Sequence, residues 1–77
     1  MKIRMLLETN NTDREQGLAT VQVDSWEDFD RVLRLLSRNE QGPCPKSIIG
    51  QAASIKSQMA VKSEASTLRL VQIVSVE

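Results

Sequence analysis

Residues 18 to 39 read LATVQVDSWEDFDRVLRLLSRN, and the spacing of the hydrophobic residues changes within this stretch. Ala19, Val21 and Val23 alternate with polar residues, which is the pattern of a half-buried strand over residues 18 to 24. After Ser25 the apolar residues recur three and four positions apart, which predicts an amphipathic helix. A strand that leads directly into a helix is typical of an α+β or α/β domain.

The sequence also indicates where this helix begins and ends. The hydroxyl of Ser25 can cap the first turn, and Asp28 stands where a capping box usually has Glu. Gly42 and the two prolines that follow can end the helix and prevent its continuation. The predicted apolar stripe consists of Trp26, Phe29, Val32, Leu33 and Leu36.

On the N-terminal side, a further strand is predicted over residues 2 to 8, where Ile3, Met5 and Leu7 alternate with other residues. The polar stretch TNNTDREQG follows and predicts an exposed loop. The simplest connection between the two strands is therefore an antiparallel hairpin.

On the C-terminal side, a second helix is predicted over about residues 46 to 62, with Pro45 at its start. Its apolar positions are Ile48, Ile49, Ala52, Ile55 and Met59. Residues 55 to 62 also alternate in the manner of a strand. Their content of Ala, Gln, Met and Lys favours the helix, and a strand remains the alternative.

The last predicted strand is TLRLVQIVSVE, residues 67 to 77, which is rich in β-branched residues. Simple alternation places Leu68, Leu70, Val74 and Val76 on one face and Val71 and Ile73 on the other. Apolar residues on both faces predict a central position in the sheet. The whole chain, residues 1 to 77, is predicted to form one α+β domain of order β-β-α-α-β, with two helices on one face of a mainly antiparallel three-stranded sheet. The alternative is β-β-α-β-β with a shorter second helix.

The composition excludes several kinds of chemistry. Ten basic residues balance ten acidic ones, so no net charge draws the chain toward nucleic acid or an anionic membrane. The chain has no histidine, and Cys44 is its one cysteine, so we expect no zinc site, no cofactor and no catalytic centre. No apolar stretch has the length of a signal peptide core or a membrane span. We therefore expect a soluble cytoplasmic protein that is not an enzyme.

The predicted sheet leaves apolar side chains without cover. If the helices cover one face, the other face carries four large aliphatic residues: Leu6, Leu18, Val71 and Ile73. Monomeric proteins rarely expose an apolar patch of this size. These four residues are the predicted interface with a protein partner or with a second copy in a homodimer.

A local basic surface is the second candidate. Residues 41 to 62 contain three lysines and no acid, which makes this segment positive within a neutral chain. The predicted contacts with an acidic partner are Lys46, Lys56, Lys62 and Arg69. Binding of nucleic acid would use such residues, although it generally requires more phosphate contacts than these four can make.

These observations favour a small non-enzymatic protein-interaction module. Chains of this size and composition are common among accessory proteins and phage-encoded inhibitors of the anti-defence class, which bind a host macromolecular complex. The alternative is a small nucleic-acid-binding or transcription-accessory protein that uses the basic segment 46–62.

Overall fold

The computed structural model describes residues 1–10, 12–38, 42–59 and 67–77. Its elements are β1 (Lys2–Thr9), β2 (Gln16–Gln22), α1 (Trp26–Arg38), α2 (Lys46–Gln58) and β3 (Leu68–Val76). This order confirms the predicted β-β-α-α-β arrangement, with two helices and one three-stranded antiparallel sheet.

The sheet has the strand order β2-β1-β3, so β1 is the central strand. In the β1–β2 hairpin, Ile3 lies opposite Val21 and Leu6 lies opposite Leu18. The prediction that the last strand is central is wrong, because β3 pairs only with β1 and forms an edge of the sheet. Its apolar residues on both faces therefore need another explanation.

Two register shifts in the β1–β3 pairing provide that explanation. Each shift inserts one extra residue into β3, and the extra residues are Val71 and Val74. The polar residues of β3 consequently recur at every third position and still share one face: Arg69 lies opposite Glu8, Gln72 opposite Leu6 and Ser75 opposite Arg4. Ile73 lies opposite the fully buried Met5, so it belongs to the face that carries the helices. The predicted alternation along this strand is wrong for that reason.

The helices cover one face of the sheet and enclose a single core. Its members from the sheet and the residue that follows β2 are Ile3, Met5, Leu7, Ala19, Val21, Leu68 and Val23, and those from the helices are Phe29, Val32, Leu35, Leu36, Ile48, Ala52 and Ile55. The predicted inward positions of β1 and β2 are therefore confirmed. Alternate residues are buried in β1 from Ile3 to Leu7 and in β2 from Ala19 to Val21, as a sheet covered on one face requires, whereas β3 buries Leu68 alone.

The first helix begins as predicted. The Asp28 N–H donates a hydrogen bond to the Ser25 hydroxyl at 3.2 Å, and the Phe29 N–H donates to the Ser25 carbonyl at 3.1 Å. Trp26 differs from the prediction, because 51% of it is exposed; its ring makes an edge-to-face contact with the Phe29 ring, at 5.6 Å between centroids. Leu35, which was outside the predicted stripe, is buried instead.

The second helix follows Pro45 and turns Ile48, Ala52 and Ile55 toward the core. Residues 55 to 58 are helical, so the prediction of a helix over this part is confirmed. Ile49 lies outside the buried face and is partly exposed. The predicted extension of this helix to residue 62 includes residues 60 to 62, which lie outside the described residues.

Candidate interaction surface

The edge of β2 is closed by a side chain of α2. The Gln22 N–H donates to Gln51 Oε1 at 2.7 Å, and Gln51 Nε2 donates to the Gln22 carbonyl at 2.6 Å. An amide side chain presents one donor and one acceptor, so it can occupy the two bonding positions that a neighbouring strand would use. Gln51 thus takes the place of a further strand at this end of β2.

The opposite end of β2 is also in contact with α2. A Cβ atom placed on Gly17 would lie 2.5 Å from Sδ of Met59, the residue that follows the helix. The Met59 side chain therefore lies directly against the strand backbone, and glycine permits this approach. Both ends of β2 are held against the same helix.

The edge of β3 is different, because the peptide groups that point away from β1 have no such partner among the described residues. Lys2 and Glu77 each donate a backbone hydrogen bond to the other at 2.8 Å. Residues of an antiparallel strand alternate in bonding direction, so the N–H and C=O of Val76 face the open edge. At the other end of β3 the Asn10 N–H donates to the Thr67 carbonyl at 3.1 Å, which by the same alternation directs the groups of Leu68 outward. Within the described ranges, no side chain bonds to this edge as Gln51 bonds to β2.

The same strand carries most of the exposed large hydrophobic residues. The described part of the chain has seven of them, and four belong to β3: Val71, Ile73, Val74 and Val76. These four are between 38% and 49% exposed, while Ile3 and Met5, which lie opposite two of them on β1, are fully buried. The helices therefore cover β1 and leave the C-terminal half of β3 uncovered. We refer to Val71, Ile73, Val74 and Val76, together with the open backbone edge, as the β3 surface.

The predicted apolar patch is only partly assembled. Leu6 and Leu18 lie opposite each other on the face away from the helices, as expected. Ile73 lies on the helix side of the sheet, and Val71 is an extra residue of a register shift, so the four do not form one patch. The role of all four at an interface stays a prediction, and Val71 and Ile73 now enter it through the β3 surface.

The predicted basic contacts are not brought together. Lys46 and Lys56 lie at opposite ends of α2, and ten residues of helix separate them by about 15 Å along its axis. Partial burial lowers the pKa of the Lys56 ammonium below its usual value. Arg69 lies on the other face of the sheet, where its Nε and Nη2 donate to Glu8 Oε2 at 3.1 and 2.5 Å. Lys62 lies outside the described residues.

Two surface cavities offer no evident chemistry. A cavity of about 260 Å³ is lined by Arg31, Arg34, Gly42, Pro43 and Cys44. Both of its guanidinium groups are already paired within α1, Arg31 with Glu27 and Asp28 and Arg34 with Asp30. A shallow depression of about 390 Å³ lies mainly over the uncovered face of the sheet, and its charged lining residues are Lys2, Arg4 and Glu77. The residues that the structure describes contain no cluster of metal-binding side chains.

Comparisons with protein-family models, curated proteins and solved structures find no match for this chain. Among the described residues, neither helix combines the length and the apolar character needed to cross a membrane. The fold and the surface therefore define a class no narrower than a small α+β domain, in which Gln51 occupies one end of the β2 edge.

Proposed function

We propose that this chain is a non-enzymatic protein-interaction module and that the β3 surface is its binding site. The observation that carries the proposal is the coincidence of two features on one strand. The backbone edge of β3 points outward, and four exposed aliphatic side chains accompany it. An open edge provides main-chain hydrogen bonds and the side chains provide apolar contact, which together support recognition by strand addition.

The contrast between the two sheet edges supports this proposal. Natural proteins usually shield exposed edges, because an open edge promotes association. Gln51 occupies the bonding positions of Gln22 at one end of the β2 edge, whereas β3 presents aliphatic side chains and no described side chain bonds to its edge. An edge that is open and apolar in this way is best explained by use of that edge.

Charge gives less support to nucleic-acid binding. Each phosphate contact requires a positive side chain close to its neighbours along the backbone of the nucleic acid. Lys46 and Lys56 are at opposite ends of a helix, and Arg69 is paired with Glu8 on the other face. These three cations therefore form no continuous track.

A comparison of two exposed positions tests the proposal. Val74→Asp places a charge in the β3 surface, and Thr20→Asp places the same charge on β2, on the uncovered face of the sheet. We expect the wild-type chain and Thr20→Asp to retain protein in affinity capture from nuclease-treated lysate, or to bind a second copy of themselves, and Val74→Asp to lose both. The same capture from lysate without nuclease is the counter-test: recovery of nucleic acid alone, with steep loss at rising salt, and of no protein after nuclease treatment would contradict the proposal.

A further inference from the structure

We infer that the β3 surface binds a second copy of this chain, with the two β3 strands antiparallel about a two-fold axis at Gln72. This inference rests on the proposed function and names the partner. It predicts a continuous six-stranded sheet in which the strand order is β2-β1-β3 in one copy and β3-β1-β2 in the other. Three properties of β3 support this partner: its residue pattern, its hydrogen-bonding directions and the position of its register shifts.

The residue pattern of β3 is the same in both directions. From Leu68 to Val76 the sequence LRLVQIVSV has its polar residues at the second, fifth and eighth positions, so it is symmetric in polarity about Gln72. In an antiparallel pair centred there, every apolar residue lies opposite an apolar one: Leu68 opposite Val76, Leu70 opposite Val74 and Val71 opposite Ile73. Arg69 lies opposite Ser75, and the two Gln72 amides meet at the axis. Matched pairs of this kind are the favourable unit of sheet stability.

The hydrogen-bonding directions agree with this register. Val76 and Leu68 both direct their peptide groups to the open edge, as derived from the bonds of Glu77 and Thr67. They lie opposite each other in the proposed pair, so they can exchange two hydrogen bonds at each end. Gln72 lies opposite Leu6, four residues from Lys2, so its peptide groups face β1. It differs in this from Leu68 and Val76, each four residues away, because one register shift lies on each side of it and reverses the alternation. The pair at the axis is then a non-hydrogen-bonded pair, with the closer spacing that such pairs have.

The register shifts are compatible with the two-fold axis. Each shift falls within an apolar doublet, Leu70–Val71 or Ile73–Val74, and the doublets lie on either side of Gln72. The two-fold operation places one doublet opposite the other. An irregular strand would pair poorly with a regular one, but here each doublet faces a doublet, with the extra residue Val71 opposite Ile73 and the extra residue Val74 opposite Leu70. Each strand thus has one extra residue in the same stretch of the pair.

The two-fold symmetry of the contact limits the assembly to two copies. A two-fold contact uses the same surface on both subunits and leaves no further copy of it exposed. The outer edges of the six-stranded sheet are the two β2 strands, and Gln51 occupies the bonding positions of Gln22 at one end of each. Pairing through β3 therefore ends at a dimer.

Cysteine cross-linking tests the register. In a Cys44→Ser background, Gln72→Cys places two thiols directly opposite each other, with Cβ atoms about 4.5 to 5.5 Å apart, close to the spacing of a disulfide. Thr20→Cys, exposed on the closed β2 strand, is the matched control. We expect mild oxidation to convert Gln72→Cys to a covalent dimer at least roughly tenfold faster than Thr20→Cys, because disulfide formation depends on access between the two sulfurs. Equal rates for the two variants would overturn the proposed pairing.

Sedimentation equilibrium of the unmodified chain separates this inference from the proposed function. We expect a monomer–dimer equilibrium that Val74→Asp weakens at least about tenfold, because a charge would be buried without a partner, and that Thr20→Asp leaves unchanged. A wild-type chain that remains monomeric up to millimolar concentration would overturn the homodimer. If Val74→Asp still abolished binding to a different protein in that case, the interaction module would stand and only its partner would change.

Discussion

The side-chain amide of Gln51 forms hydrogen bonds with both backbone groups of Gln22, at 2.7 and 2.6 Å. This pair joins α2 to the edge of β2 and leaves β3 as the edge that is open to a partner. The asymmetry arises from the placement of the helices, since α2 lies against β2, where Gln51 bonds to Gln22, whereas α1 contacts β3. The function proposed for β3 depends on this asymmetry.

Gln51→Ala is expected to destabilise the domain and to expose the edge of β2. Two hydrogen bonds are lost at a partly exposed site, so the free energy of unfolding should fall by about 1 to 2 kcal/mol. Urea denaturation measures this change. Gln58→Ala, an exposed glutamine one residue before Met59, is the control and should stay within about 0.5 kcal/mol of wild type. Equal effects of the two substitutions would show that the Gln51 bonds contribute nothing.

Gly17→Ala is expected to be unfavourable because of Met59. The new Cβ would lie 2.5 Å from Met59 Sδ, so the methionine side chain must move. In a Met59→Ala background the same substitution should be neutral or stabilising, since alanine is better than glycine in a strand by about 0.5 to 1 kcal/mol. A double-mutant cycle measures the difference. A coupling energy near zero would show that the two side chains do not compete for space.

Ser25→Ala is expected to lower the free energy of unfolding by about 1 kcal/mol, because the Asp28 N–H loses the hydroxyl that caps it. Ser25→Asp should retain most of the stability, since a carboxylate accepts the same hydrogen bond and interacts favourably with the helix N-terminus. Thermal or urea unfolding distinguishes the two. If both substitutions cost the same, the cap would not be the cause.

Arg69→Ala is expected to cost about 1 to 2 kcal/mol, because it removes the hydrogen-bond donors of a largely buried carboxylate. Only 10% of the Glu8 side chain is exposed, and Arg69 donates two hydrogen bonds to one of its oxygens. The loss should be smaller in a Glu8→Gln background, where no charge is left unpaired. An identical loss in both backgrounds would assign the effect of Arg69 to packing and not to this pair.

Most of the fold could be predicted from sequence because it depends on local pattern. Ala19, Val21 and Val23 alternate cleanly, and Ser25 opens a helix with strong periodicity, so these elements were placed correctly. The strand order could not be predicted in this way. Strand order depends on pairing between residues that are far apart in the sequence. The apolar residues on both sides of β3 predict a central strand, but their cause is the two register shifts.

The candidate site was predicted only in part. The sequence predicts that Val71 and Ile73 are exposed apolar residues, and both are exposed. The exposure of Val74 and Val76 is not predicted, because regular alternation with a period of two residues places them on the covered face. The spacing of Arg69, Gln72 and Ser75, three residues apart, was the available signal, since it does not fit a regular strand. No sequence pattern indicates the hydrogen bonds between Gln51 and Gln22, because the two residues are 29 positions apart.

Amide hydrogen exchange at increasing protein concentration tests the central claim most directly. The Gln22 N–H is bonded to Gln51 within the chain, so its protection should not depend on concentration. The Val76 N–H faces the open edge of β3, so we expect it to exchange rapidly in dilute solution and to become protected as β3 pairs with β3 of a second copy. Rapid exchange of Val76 at every concentration, alongside constant protection of Gln22, would contradict pairing through the β3 edge.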